Sequence, residues 1–152
     1  MMTKKGFTLL EIILVLAIVL VIATVIVKSY SLFNSRVKVQ GDAGKIASLL
    51  YKAKSDTISG RGGLQYGVHF ESGKAVLFRG TSYSSGASTN QNLPLSPHVS
   101  IFAITLTGGG SEVVFQKLTG VTEQPGSIKI RSDSGIASST ISISANGLVT
   151  IQ

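Results

Sequence analysis

MMTKKGFTLLEIILVLAIVLVIATVIV, residues 1–27, decides how this chain is read. MMTKKG is a short basic leader, and the stretch from Phe7 to Val27 carries one charge, Glu11. From Ile12 to Val27 only Thr24 is not strongly apolar. A helix rises about 1.5 Å per residue, so residues 7–27 reach about 30 Å, the thickness of a bilayer core. Beyond Val27 the chain turns into a Ser/Thr/Gly-rich sequence with alternating apolar residues: an apolar stem followed by a polar, strand-rich head.

Three explanations of the stem compete. A secretory signal has an apolar region of about 7–15 residues and a small-x-small cleavage site; here the run is longer and ends in Ile26-Val27-Lys28 without one. An ordinary permanent anchor fits the length but gives no reason for Glu11. A carboxylate at the centre of a membrane helix costs roughly 2.5–3.5 kcal/mol on insertion scales, less near an end. The third explanation is cleavage between Gly6 and Phe7, which frees an α-amino group four residues before Glu11. Such an amine has a pKa of roughly 7.7–8.0 and is mostly cationic at neutral pH. In a stack of identical helices the amine of one subunit meets Glu11 of the next, so a buried charge becomes a pair that sets the axial register. Against it stands the plainer option that Glu11 snorkels to the interface.

Lys4-Lys5-Gly6-Phe7-Thr8-Leu9-Leu10-Glu11 before an apolar run resembles the leader of type IV prepilins and type II secretion pseudopilins. The resemblance implies cleavage after Gly6 by a prepilin peptidase, N-methylation of Phe7 and the register role for Glu11. Basic residues flank the stem on both sides, so the positive-inside rule does not orient it. The resemblance does, with the leader in the cytoplasm, the stem in the bacterial inner membrane and the head outside. The other partners it implies are further pilin or pseudopilin subunits.

The expected organisation is a leader at 1–6, a transmembrane helix at 7–28, an amphipathic continuation at 29–60 and a strand-rich head at 61–152. Between Lys28 and Ser59 there is no proline, and only Gly41 and Gly44 weaken the helix, by allowing a bend or a close helix contact. Many type IV pilins carry a proline where the stem leaves the membrane; Ile26-Val27-Lys28-Ser29 has none. Ala43, Ile46, Ala47, Leu50, Ala53 and Ile58 form a predicted buried face. Asp42 with Lys45, and Lys52 with Asp56, form predicted pairs on the wet side.

Gly60-Arg61-Gly62-Gly63 ends the helix. Predicted strands run from Leu64 to Glu71 and from Lys74 to Arg79, with a mobile loop from Gly80 to Asn92. Further strands are expected at Val99–Thr107, Glu112–Leu118, Ser127–Ser132, Ile136–Ser144 and Leu148–Ile151. Asn146-Gly147 is a hairpin signal between the last two. A long helix followed by antiparallel strands matches the α+β pilin fold, with a helix packed on an antiparallel sheet. The head is most similar in pattern to the GspH/FimT-type minor pseudopilins, and it lacks the cysteine pair of many major pilins.

No cofactor and no enzyme activity are expected. With two histidines, His69 and His98, and no cysteine, a zinc site is not expected, and both histidines read as surface residues. No Gly-x-Ser-x-Gly elbow occurs, and Ser72-Gly73-Lys74-Ala75 lacks the ends of a phosphate loop. Asp133 beside Ser134-Gly135 is one carboxylate, where calcium needs about six to eight oxygens. The net charge is +7, and a form starting at Phe7, without Lys4 and Lys5, carries +5 on its side chains. No basic cluster of about 5–8 residues occurs, which favours solubility and anionic lipid over nucleic acid as the use of that charge. Some relatives capture DNA with basic C-terminal residues. Here the candidates are Lys117, Lys129 and Arg131, with no Lys or Arg after Arg131. A single-pass membrane protein that never polymerises is the remaining alternative.

Overall fold

The computed structural model describes residue 6 and residues 8–152, with the side chains of residues 25–29 excepted. The expectations for Lys4, Lys5 and Phe7 therefore lie outside the described residues, as does the side chain of Lys28. One helix, α1 (Leu9–Ile58), is followed by a 3-10 turn (Arg61–Gly63) and eight strands. The chain divides into two units, Met1–Asn34 and Ser35–Gln152, and α1 contributes to both.

Within the second unit the strands are antiparallel, as expected, and divide into two sheets. The first holds β1 (Tyr66–Glu71), β2 (Lys74–Arg79), β3 (Gln91–Pro94) and β5 (Glu112–Val114) in the order β3-β2-β1-β5. The second holds β4 (Val99–Leu106), β6 (Gly126–Ser132), β7 (Ser138–Ile143) and β8 (Val149–Ile151) in the order β4-β6-β7-β8. One apolar core joins Val39, Ala43, Ile46, Ala47, Leu50 and Ala53 of α1 to inward residues of both sheets, among them Phe70, Phe115, Ile128 and Ile141. The three alanines on that helix face let the backbone of α1 approach closely. The predicted face is correct but for Ile58, which is 44 % exposed. Gly60, at φ 65°, takes the left-handed conformation that stops the helix.

The helix pairs differ from expectation. Asp42 and Lys45 do pair, at 2.9 Å, but Asp42 is fully buried rather than on the wet side. Its carboxylate accepts the Ser96 backbone N–H at 2.7 Å and the Ser96 hydroxyl at 3.0 Å, which ties the β3–β4 connection to the helix. The helical pattern says nothing about a loop returning from 54 residues away. Asp42→Ala strands the Ser96 donors in a partly buried site and is expected to cost about 2 kcal/mol. A lowered thermal midpoint, restored in part by Asp42→Asn, checks it. Lys52 and Asp56 do not pair: Lys52 Nζ donates to Gln91 Oε1, and Asp56 takes Arg61 at 3.3 Å. Gly41 and Gly44 border open space, so neither serves a close contact among the described residues.

Several boundaries shift. Gln91 and Asn92, expected in a mobile loop, begin edge strand β3, where Pro94 needs no ladder N–H. The predicted strand to Leu118 stops at Val114, and Leu118 sits at φ 68° in a turn, 88 % exposed. Ile136 precedes β7, and Leu148 belongs to the turn before β8. The Asn146-Gly147 hairpin forms as expected, with the Gly147 N–H on the Ser144 carbonyl at 2.8 Å. Segment 80–90 is held down rather than loose. Tyr83 stacks on His69 with centroids 4.0 Å apart, meets the Phe78 ring edge-on, and donates its N–H to Glu112 Oε2 at 3.1 Å. This segment covers the outer face of the first sheet, so Val76 and Phe78 are buried as well as inward-facing Ala75 and Leu77.

Candidate functional site

Thr8 and Glu11 build the start of the stem. Thr8 Oγ1 accepts the Glu11 N–H at 3.3 Å, and the Thr8 carbonyl accepts the Ile12 N–H at 3.3 Å. Thr8 is therefore the N-cap and Glu11 the third helical residue, the positions of a Thr-x-x-Glu capping box. A carboxylate there also faces the positive end of the helix dipole. Sequence reasoning weighed pairing and snorkelling for Glu11 and passed over Thr8, although the Thr-x-x-Glu spacing is visible. Gly6 is exposed with open space around it. Phe7, its expected partner in cleavage and methylation, lies outside the described residues.

The described stem presents its apolar residues outward: Leu9, Leu10, Leu16, Leu20 and Val21 are each more than half exposed, with Glu11 exposed among them. Among the described residues no helix is long and apolar enough to cross a membrane. The run with described side chains ends at Thr24. The expected span of 7–28 includes Phe7, which is not described, and residues 25–28, whose side chains are not described.

On the head, the expected basic set separates. Lys129 and Arg131 stand on one face of β6, two residues apart, both exposed. Lys117 lies elsewhere, its Nζ donating to the Gly63 carbonyl at the end of the helix. The Arg131 guanidinium lies over the Phe102 ring, 4.8 Å from its centroid. Phe102 has no counterpart among the expected site residues, and its alternation within β4 marks it as nothing special.

The two histidines fare differently. His98 is exposed as expected and sits 3.2 Å from Asp133, the lone carboxylate considered for calcium. His69 is only 21 % exposed, packed between Tyr83 and Glu112 instead of on a free surface. The folded segment over the first sheet, distant in sequence, is what covers it. Among the described residues no cluster of three or more metal-ligating side chains forms. A cleft of about 580 Å³ is lined by Gln65, Thr81, Glu112, Gln116, Glu123 and Gln124. Its groups bond to one another and to backbone: Gln116 Nε2 donates to Glu123 Oε1 at 2.7 Å, and Gln124 Oε1 accepts the Val114 N–H at 3.2 Å.

Residues 1–27 match the family model described as the prokaryotic N-terminal methylation motif. No curated protein and no solved structure matches the chain. The motif marks proteins that build structures rather than catalyse reactions. The chain thus carries the type IV pilin signature at its N-terminus, ahead of an α+β fold of helix on antiparallel sheets that is consistent with a pilin fold.

Proposed function

We propose that the chain is a minor structural subunit of a type IV pilus or type II secretion pseudopilus. In this reading a prepilin peptidase removes residues 1–6, and Phe7 becomes the methylated N-terminus. Residues 7–28 hold the subunit in the bacterial inner membrane, and residues 29–60 carry the helix into the head at 61–152. Assembly follows by side-to-side stacking of apolar stems, with Glu11 of one subunit against the freed amine of its neighbour. The methylation motif at residues 1–27 carries the reading. It is supported by an outward-facing apolar helix whose first turn holds a single exposed acid. Dispersion and apolar contact between such stems are non-directional, so a charge pair is what selects one axial offset from many.

Mass spectrometry of the protein purified from a bacterium with an active prepilin peptidase tests it. The expected N-terminal peptide begins at Phe7 and carries one added methyl group. A peptide beginning at Met1 or Met2 removes the reading in favour of a non-polymerising membrane protein.

One observation favours a second property compatible with the first, binding of nucleic acid by the head. Lys129 and Arg131 project from the same face of β6, and neither forms a salt bridge among the described residues. Lys117 takes no part in that face.

A further inference from the structure

We propose that the outer face of the second sheet is a platform for single-stranded nucleic acid, with Phe102 stacking a base and Lys129 and Arg131 holding phosphates. This rests on the nucleic-acid reading above and adds the kind of strand and the residue that selects it. The pairing of β4 with β6 slips by one residue between Ile101 and Ala103: Ile101 faces Ile130, Ala103 faces Lys129, and Phe102 has no partner. The bulge moves the inward positions of β4 from Val99 and Ile101 to Ile104 and Leu106, and Phe102, next to inward Ile101, stays on the outer face without a register partner. Ile101 and Ile130 remain buried, and Phe102 is 44 % exposed, with the Arg131 guanidinium over its ring.

The chemistry around the ring is uniform. Lys129 and Arg131 alternate with buried Ile128 and Ile130, so both cations lie on Phe102's side of the sheet, about 7 Å apart at two residues of strand rise. Register places Ser100 and Ser138 beside Arg131, and Thr140 beside Lys129. None of the four strands contains Asp or Glu. Strands with two cations that form no salt bridge among the described residues, flanking hydroxyls and no Asp or Glu make a face complementary to a polyanion. The exposed ring narrows the class. In a duplex the bases are stacked on each other and out of reach, whereas a single strand offers free base faces to an aromatic side chain on a sheet.

Fluorescence anisotropy with the full chain in nonionic detergent tests the proposal, using a labelled oligothymidine and a duplex of equal length. The single strand is expected to bind more tightly, with log K falling against log salt at a slope of about −1.4 for two phosphates neutralised. Phe102→Leu is expected to weaken the single strand by about tenfold and leave the duplex unchanged. Phe102→Tyr is expected to retain binding, and Lys129→Gln with Arg131→Gln to remove both binding and salt slope. Equal binding of duplex and single strand, or no effect of Phe102→Leu, overturns the platform while leaving nucleic-acid binding in place. Displacement by polyglutamate at equal charge also overturns it, as a face that reads charge alone. No binding of either oligonucleotide at low salt overturns both readings.

Discussion

Glu11→Ala is expected to abolish incorporation into filaments while leaving the protein in the membrane fraction. A carboxylate within lipid costs roughly 2.5–3.5 kcal/mol near the centre and less near an end. Its retention at the start of an apolar stem calls for a compensating partner. Two partners compete: the helix's own N-terminus, through the Thr8 cap and the dipole, and the amine of a neighbouring subunit. The cap bond itself runs from the Glu11 backbone N–H to Thr8 Oγ1, so it survives any change of the Glu11 side chain. Glutamine at this position keeps the capping-box hydrogen bond and loses the charge. If the pair between subunits sets the register, Glu11→Gln fails as completely as Glu11→Ala, by more than about tenfold, the equivalent of about 1.4 kcal/mol. Immunoblotting of sheared filaments against the membrane fraction provides the measurement. Normal incorporation of Glu11→Gln would reduce Glu11 to a local cap and remove the register model.

Gly126→Ala is expected to be the most damaging single-methyl change in the head. Gly126 opens β6 opposite Leu106. A Cβ there falls 2.0 Å from the Thr105 carbonyl oxygen and 2.8 Å from the Leu106 Cα. Both are backbone atoms of the paired strand, so no side-chain rotation relieves the overlap and the two strands must separate. Overpacking in a tight site costs about 1–3 kcal/mol and occasionally more, and a clash with paired backbone belongs at the top of that range. Loss of the β4–β6 edge also disturbs Ile101, Ile128 and Ile130 beneath it. The expected result is a fall of at least about 3 kcal/mol in denaturant-measured stability. Gly41→Ala, at a helix position bordering open space, is the control and is expected to be neutral or slightly stabilising. A Gly126→Ala head as stable as its parent would show that β4 and β6 can part without cost.

The elements legible in the sequence were those governed by local rules. The apolar run and its glycine stop defined α1 to within two residues at each end. Lys74–Arg79 was read to the residue, and the last hairpin followed from Asn146-Gly147. The inward helix face followed from spacing at Ala43, Ile46, Ala47, Leu50 and Ala53. Errors occurred wherever a distant segment overrode the local pattern. Asp42 has the helical neighbours of a wet-side residue and is buried by Ser96. His69 alternates as a polar residue and is covered by Tyr83. Segment 80–90 has the composition of a loose loop and is docked on a sheet.

Residues 1–27 by themselves determined the family signature, the processing expectation and the place of the one stem acid, because those depend on order along a single segment. The division of the strands between two sheets, the burial of Asp42 and the projection of Phe102 beside Arg131 were decided only by tertiary structure. Each depends on which strand lies next to which. A one-residue slip in pairing turns Ala103 and the residues after it to the other face of the sheet, and no local rule records that slip.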